Sequence, residues 1–371
     1  METTKSADKR ILSVDVLRGF DMFWLIGGTG LAIALIKLLG TGVQNLLLPQ
    51  LDHAEWIGFT FYDLIFPMFE FVMGMSVLFS LKKILQKDGK AAAYQRLIKR
   101  FLVLFLLGII YYGGLSNVWP EIRILGVLQR LALTYLFTGI LFIHFELRGM
   151  VIIAAVILIG YWILFSFIPL PDTGVVALTQ QSNWAQYIDS LFLPGKKNGP
   201  GGLWDIVGIL GTIPATVSCM LGVFAAYALQ SKKLDDTKKL FWLIGGGLLM
   251  VVIGYLWGIQ FPIIKKVWTS TYVLVAGGYS LMLMGIFYYL IDVKGYKKWT
   301  PIFVWIGVNP ITIYMLRNLI DFGGISKKLV GGDLAILAGE QWAYLLANIV
   351  SLGLSLLLLK FMYDRKIFLK A

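Results

Sequence analysis

The sequence predicts an all-α integral membrane protein, a bundle of about ten transmembrane helices, and three observations lead to this fold class. Apolar residues make up 58% of the 371 residues. Mean hydropathy is +0.77, well above the balance of soluble domains. Ten apolar stretches approach the roughly 20 residues that cross about 30 Å of hydrocarbon. Since no internal repeat or soluble appendage interrupts them, we expect residues 1–371 to form a single membrane domain.

The ten predicted spans follow one another along the whole chain. They cover residues 13–38, 59–81, 101–119, 124–145, 150–168, 205–229, 240–261, 272–291, 300–320 and 339–360. Lys and Arg flank them unevenly, with 22 at one set of span ends and 7 at the other. The richer set comprises segments 1–10, 82–100, 146–149, 231–239, 292–299 and 360–371. Because positive residues are retained in the cytoplasm, both termini are predicted to be cytoplasmic, and we expect a multi-pass protein of the bacterial inner membrane.

Charge and cysteine content exclude several other classes. The formal net charge of +12 follows from this topology and from attraction to anionic lipid in the bilayer, so we expect no nucleic-acid partner. Cys219 is the only cysteine, which excludes an intramolecular disulfide.

The first outer loop contains one of the two histidines of the chain, His53, in the stretch LDHAEWIGFTFYDLIF. Asp52 and Glu55 flank it, and we expect these carboxylates to hold one ring nitrogen and raise the basicity of the other. A general base that removes a proton from an amine or hydroxyl needs such a basic ring nitrogen. A solvated loop histidine without a role is the alternative.

The next span carries Asp63, Pro67, Glu70 and Gly74, which fall on one helical face. A carboxylate inside a bilayer is costly unless it faces a cavity or a partner, so this face is predicted to look into the protein. Asp63 is a candidate catalytic residue. Pro67 and Gly74 are expected to serve close helix packing instead.

Arginines near or inside the spans are candidate ligands for an anion. Arg18 is expected near the cytoplasmic face, where its planar charge suits phosphate, although an arginine that merely reaches interfacial water is an equal alternative. The fourth span opens RILGVLQRL and places Arg123, Gln129 and Arg130 in or at the membrane. Arg130 lies so deep that it requires a carboxylate or an anionic ligand.

Six blocks carry a family resemblance. They are SVDVLRG, HAEWIGFTFYDLIFPMFEFVMGMS, RILGVLQRL, YIDSLFL, DIVGILGTIPA and VNPITIY. In this order they resemble the heparan-alpha-glucosaminide N-acetyltransferase family over residues 13–314, and HA-x-W-x-G followed by D-L-x-F-P is the most specific part. The resemblance implies transfer of an acetyl group from cytosolic acetyl-CoA to the amine of a glucosamine-type glycan across the membrane. It places His53 at the family's catalytic histidine.

Within this scheme each candidate residue receives an expected partner. Arg18 and Arg130 are predicted to bind the CoA phosphates, and Arg123 and Gln129 are further candidates. The acceptor glycan is predicted to contact Glu55, Trp56, Trp184, Tyr187, Asp189 and Asn309. No metal ion enters the scheme, and a homodimer is left open.

The longest outer segment, residues 169–204, is predicted to be an external lid or binding surface because it is rich in Pro, Gly and Asn. Trp184, Tyr187 and Trp204 are candidates to stack on sugar rings, and Asp189 is a candidate hydrogen-bond acceptor. Anchoring of Trp and Tyr at the membrane interface is the alternative.

Departures from the family affect the acceptor side of the scheme. The region before His53 differs in length from that of the family's lysosomal member, and Thr29 and Asn45 are both open as replacements for its active-site asparagine. Glu70 stands where that member has an apolar residue. Direct transfer and an acetyl-histidine intermediate are both open. A secondary transporter or a flippase for a glycan or other small anionic substrate is the alternative function.

Overall fold

The computed structural model describes residues 11–368 and has the predicted all-helical membrane architecture. Within this range nine helices are long and apolar enough to cross a membrane, and one bent pair of shorter helices makes a tenth unit. The fold class is therefore confirmed, and each of the ten predicted stretches overlaps one of these units. The basic residues of segment 1–10 and Lys370, which entered the topology prediction, lie outside the described residues.

The helices are numbered here in chain order. They are α1 (Leu12–Ile36), α2 (Thr41–Leu47), α3 (Phe61–Lys87), α4 (Gly89–Ser116), α5 (Val127–His144), α6 (Leu147–Phe167), α7 (Trp184–Phe192), α8 (Ile209–Gln230), α9 (Asp236–Gly258), α10 (Ser270–Val293), α11 (Pro301–Val308), α12 (Pro310–Leu319), α13 (Phe322–Val330), α14 (Asp333–Ala338) and α15 (Glu340–Asp364). Helices α2, α7, α13 and α14 are short and lie between the membrane-length units.

Helices α3 and α8 form the buried centre of the bundle, and two glycines allow their backbones to touch. A Cβ added to Gly74 would lie 1.8 Å from the carbonyl oxygen of Cys219, and one added to Gly222 would lie 1.8 Å from that of Phe71. The prediction that Gly74 serves close helix packing is confirmed. This packing turns the polar face of α3 inward, where Asp63 and Glu70 are fully buried.

The tenth membrane unit is a broken helix. Helices α11 and α12 meet at an angle of 78°, with Asn309 between them and Pro310 at the start of α12. The proline lacks a backbone N–H and disfavours helical backbone at the residue before it, which explains the break. Helix α11 is held close to α1, since a Cβ on Gly307 would lie 2.1 Å from the carbonyl oxygen of Asp15.

Candidate functional site

His53 lies where the loop before α3 turns back onto that helix, at the end of the bundle that the predicted topology makes the outer one; outer and inner are used below in this sense. Its Nδ1 is 2.8 Å from Oδ1 of Asp63, and its ring packs on Tyr62 with 4.8 Å between centroids. The His53 side chain is 47% exposed, whereas that of Asp63 is fully buried. The pair therefore joins a surface-accessible imidazole to a buried carboxylate.

Asp63 is fixed by a set of local hydrogen bonds at the start of α3. Its Oδ2 accepts from the backbone N–H groups of Ala54 and Thr60 and from the Thr60 hydroxyl, each at 3.2 Å. The Tyr272 hydroxyl donates to the backbone carbonyl of Asp63 at 2.7 Å. A carboxylate held in this way can accept a proton from Nδ1 of His53, and in that tautomer the lone pair is on Nε2, as a general base requires.

The carboxylate that holds His53 is therefore not one of its sequence neighbours. Asp52 uses Oδ1 to accept the backbone N–H of His53 at 2.7 Å. Glu55 is exposed, and its backbone carbonyl accepts from Gln180 at 3.3 Å. The prediction that Asp52 and Glu55 hold the ring is wrong, because the chain reverses between the loop and α3 and brings Asp63 to the imidazole.

Lys265 completes the cluster from the loop between α9 and α10. Its Nζ lies 3.0 Å from Nδ1 of His53 and 3.3 Å from Oδ1 of Asp63. Burial lowers the pKa of Lys265 to about 8, against the opposing attraction of the Asp63 carboxylate. Sequence reasoning counted this lysine only as an outer-loop charge, since nothing local connects it with a residue 212 positions away.

These residues open onto an outer cavity of about 210 Å³. His53, Tyr62 and Lys265 line its mouth, and Arg130 lines its wall together with apolar side chains such as Trp268. Lys266 also lines the cavity, which thus offers one imidazole and three cations to a ligand in a largely apolar space.

An inner cavity of about 180 Å³ lies toward the opposite end of the bundle. Three arginines and a serine give it its polar lining, namely Arg18, Arg96, Arg100 and Ser76. Phe69, Leu131, Pro310 and Ile311 line both cavities, so the two adjoin at the break between α11 and α12. The arginines and His53 therefore lie in two neighbouring cavities that share part of their walls.

The three inner arginines differ in the hydrogen bonds that they form within the protein. Arg18 donates to the Ser76 hydroxyl at 2.6 Å and to the carbonyl of Gly307 at 3.3 Å. By contrast, the Nε groups of Arg96 and Arg100 have no hydrogen-bond partner within residues 11–368. The Arg100 guanidinium lies over the ring of Tyr135 at 4.4 Å. Sequence reasoning missed both arginines because it assigned them to the topology signal of segment 82–100.

Three of the residues predicted to bind phosphate lie elsewhere. Arg130 is in the wall of the outer cavity rather than among the inner arginines. Arg123 forms two hydrogen bonds with Asp205, at 2.8 and 2.7 Å, and lines neither cavity. Gln129 is fully buried against α4, with its amide oxygen 2.3 Å from where a Cβ on Gly108 would lie. Neither Arg123 nor Gln129 lines either of the two cavities, so the structure does not bring them together with the inner arginines.

The aromatic residues of the outer segment are used in its own folding. The indole N–H groups donate to backbone carbonyls in or next to that segment: Trp56 to Leu178, Trp184 to Ile168 and Trp204 to Gln180, at 3.3, 2.9 and 3.2 Å. Tyr187 packs edge-on against Trp184 at 5.6 Å. None of these four rings lines the outer cavity, so we no longer expect them to contact the acceptor.

Asp189 and Asn309 also have structural partners. Asp189 is fully buried, and its two oxygens accept the backbone N–H groups of Asp205 and Ile209 at 3.1 and 3.0 Å, which stabilises the start of α8. Asn309 donates to the carbonyl of Ile367 at 2.9 Å from the break between α11 and α12. Burial and these hydrogen bonds place both side chains away from the outer cavity.

The two candidates for the family's missing asparagine lie outside this site as well. The Thr29 hydroxyl donates to the carbonyl of Trp24 inside α1 at 3.0 Å, and Asn45 lies exposed on α2. Neither lines the outer cavity.

Fold and site together define a multi-pass membrane protein in which an imidazole–carboxylate pair and an arginine-lined cavity lie toward opposite ends of the bundle. No family model matches the chain. Heparan-alpha-glucosaminide N-acetyltransferase of Mus musculus is 28% identical over 429 residues, covering 100% of this chain and 62% of the relative. The Homo sapiens protein of that name is 28% identical over 423 residues, 97% of this chain and 60% of the relative. The chain is thus a distant relative of these proteins, as its sequence blocks predicted, and spans about three fifths of their length.

Proposed function

We propose that this protein is a transmembrane N-acetyltransferase that moves an acetyl group from acetyl-CoA on the cytoplasmic side to an amino sugar of the glucosamine type on the outer side. The observation that carries the proposal is the His53–Asp63 pair beside a cavity that adjoins a second cavity lined by the inner arginines. The similarity to proteins named N-acetyltransferases supports the reaction class.

The donor end of the proposal rests on charge. CoA carries several phosphates, and arginine binds phosphate through strong charge-assisted hydrogen bonds. Arg96 and Arg100 have unpaired Nε groups and line the inner cavity beside Arg18. We assign the phosphates to these arginines and the thioester to the outer cavity.

The reaction is assigned as direct transfer. The acceptor amine attacks the thioester carbonyl carbon, and Nε2 of His53 takes the amine proton as the C–N bond forms. The C–S bond then breaks, and His53 returns the proton to the CoA sulfur, so that an amide and a free thiol result. Asp63 holds the imidazole through Nδ1 throughout.

One observation favours the alternative, a transporter or flippase. The break between α11 and α12 beside both cavities resembles the discontinuous helices of transporters. Incubation of the purified protein with radiolabelled acetyl-CoA and glucosamine separates the two functions. We expect labelled N-acetylglucosamine, absent when the protein is heat-denatured. Movement of labelled glucosamine into proteoliposomes without acetylation would contradict the enzyme assignment.

The unequal distribution of Lys and Arg between the two sets of span ends also predicts which side of the membrane each loop faces. Both termini are assigned to the cytoplasm, so Lys196 in the outer segment faces outward; its side chain is 61% exposed. A Lys196→Cys variant that also carries Cys219→Ala is expected to react with an impermeant maleimide on intact cells. Labelling only after permeabilisation would reverse the topology, and the Cys219→Ala parent is the control for background.

A further inference from the structure

Arg130 places a guanidinium in the wall of the outer cavity, at the start of α5. The residue is 1% exposed, and its side chain lies over the ring of Trp268 at 4.7 Å and over that of Phe66 at 5.9 Å. Both aromatic residues line the same cavity. The charge is therefore held between rings and directed at the space next to His53.

The guanidinium has unused hydrogen-bonding capacity. Nη2 donates to the carbonyl of Ile206 at 3.5 Å, whereas Nε and Nη1 have no acceptor within the described residues. Among the described residues, Arg130 also forms no ion pair with a carboxylate. The buried carboxylate of Glu70, whose oxygens have no hydrogen-bond partner among these residues, interacts with Arg130 only through longer-range electrostatics. Buried donors without acceptors are costly, which points to a ligand atom as their partner.

Lys265, the cation nearest to His53, already has partners within the protein. Lys265 lies 3.3 Å from Oδ1 of Asp63 and 3.0 Å from the imidazole. The inner arginines line the other cavity. Lys266 lines the outer cavity as well, but it is only partly buried. Arg130 is thus the fully buried cation of this cavity, and within the described residues its Nε and Nη1 are left to meet an oxygen of the ligand.

Gly211 on α8 preserves the space that this guanidinium occupies. A Cβ at Gly211 would lie 2.8 Å from Nη2 of Arg130 and 3.7 Å from Cβ of Trp268. A larger residue at this position would push the guanidinium out of its present place, so the glycine determines where the charge lies.

We propose that Arg130 donates a hydrogen bond to the carbonyl oxygen of the acetyl thioester and stabilises the negative charge that this oxygen acquires when the amine attacks. The inference rests on the proposed acetyl transfer and gives Arg130 a role distinct from phosphate binding. As the C–N bond forms, the carbonyl π electrons move to the oxygen beside Arg130. They return when the C–S bond breaks, while His53 carries the proton from nitrogen to sulfur. A fixed cation in a dry site is suited to this task because it needs no reorganisation during the reaction.

The test compares Arg130→Gln and Gly211→Ala with the wild type in nanodiscs. Acetyl-CoA labelled with 13C at the carbonyl reports the hydrogen bond directly, because the thioester stretching frequency falls when the oxygen accepts from a cation. We expect a lowered frequency in the wild type, a frequency close to that of free acetyl-CoA in Arg130→Gln, and an intermediate value in Gly211→Ala. The single-turnover rate of Arg130→Gln is expected to fall about 100-fold or more, with the Kd of free CoA unchanged.

Three outcomes would overturn the inference: a wild-type carbonyl frequency in Arg130→Gln, an unchanged rate, or a rise in the Kd of free CoA that accounts for the lost rate. The last outcome would restore Arg130 to phosphate binding. If Arg130→Gln does not fold, Gly211→Ala decides, since it moves the guanidinium but keeps its charge; unchanged frequency and rate in that variant would exclude the contact. A wild type that fails to acetylate any amine defeats the proposed function instead, because the carbonyl frequency is measured without an acceptor.

Discussion

His53→Ala is expected to remove nearly all acetyl transfer while leaving acetyl-CoA bound. The imidazole is the proposed base in the outer cavity, and general base catalysis typically contributes about 10²- to 10⁴-fold to the rate. The inner arginines assigned to CoA line a separate cavity, so the Kd of CoA is expected to stay within about threefold of the wild-type value, which is under 1 kcal/mol. Single-turnover transfer from radiolabelled acetyl-CoA and CoA affinity by calorimetry measure the two effects side by side.

The chain supplies a matched control in its second histidine. His144 ends α5 at the opposite end of the bundle, where it is exposed and pairs with the hydroxyl of Tyr94. His144→Ala is expected to transfer at the wild-type rate. Near-normal transfer by His53→Ala would exclude the catalytic assignment, and joint loss of transfer and CoA binding would make His53 a structural residue.

Asp63→Asn tests how the carboxylate contributes to the same effect. An asparagine can turn its NH₂ group toward Nδ1 of His53, which would place the ring proton on Nε2 and remove the base. Loss of transfer is therefore expected to approach that of His53→Ala. A wild-type rate in Asp63→Asn would show that the 2.8 Å hydrogen bond does not orient the imidazole.

The membrane fold was predictable from sequence because bilayer thickness sets a length that apolar stretches must reach. All ten stretches overlap the membrane-length units of the structure. The break at Asn309 was not predicted, since hydropathy averages over a helix and does not register a bend. Pro310 was the available signal, because a proline disfavours helical backbone at the residue before it.

The candidate site was only partly predictable, for reasons that depend on sequence distance. His53 and Asp63 are ten residues apart, and each was visible as a polar residue in an apolar setting. The partner of His53 was misassigned to Asp52 and Glu55 because adjacency in sequence does not show where the chain reverses. Lys265 comes from a loop that is distant from His53 in sequence. Arg96 belongs to segment 82–100, whose positive charge was already explained by its predicted cytoplasmic location. Long-range packing therefore determines which charges serve the site.

The double variant Arg96→Gln/Arg100→Gln is expected to bind CoA about 10-fold more weakly or worse. Each charge-assisted hydrogen bond to phosphate contributes about 1.5–3 kcal/mol, and 1.4 kcal/mol corresponds to a factor of ten in affinity. Titration of CoA measures the change, and raised salt is expected to weaken wild-type binding more than that of the variant, because salt screens charge pairs. S-acetylpantetheine lacks the nucleotide and its phosphates, so we expect the variant and the wild type to use it at equal rates.

Arg148→Gln is the control for a general effect of removing positive charge. Arg148 is exposed at the start of α6, at the same end of the bundle, and lines neither cavity. Its replacement is expected to leave the Kd of CoA unchanged. Equal loss of affinity in Arg148→Gln would mean that CoA responds to the overall surface charge of this end. Wild-type affinity in the double variant would remove the inner cavity from the donor site, because two guanidinium groups that faced the phosphates could not be lost without a cost in binding.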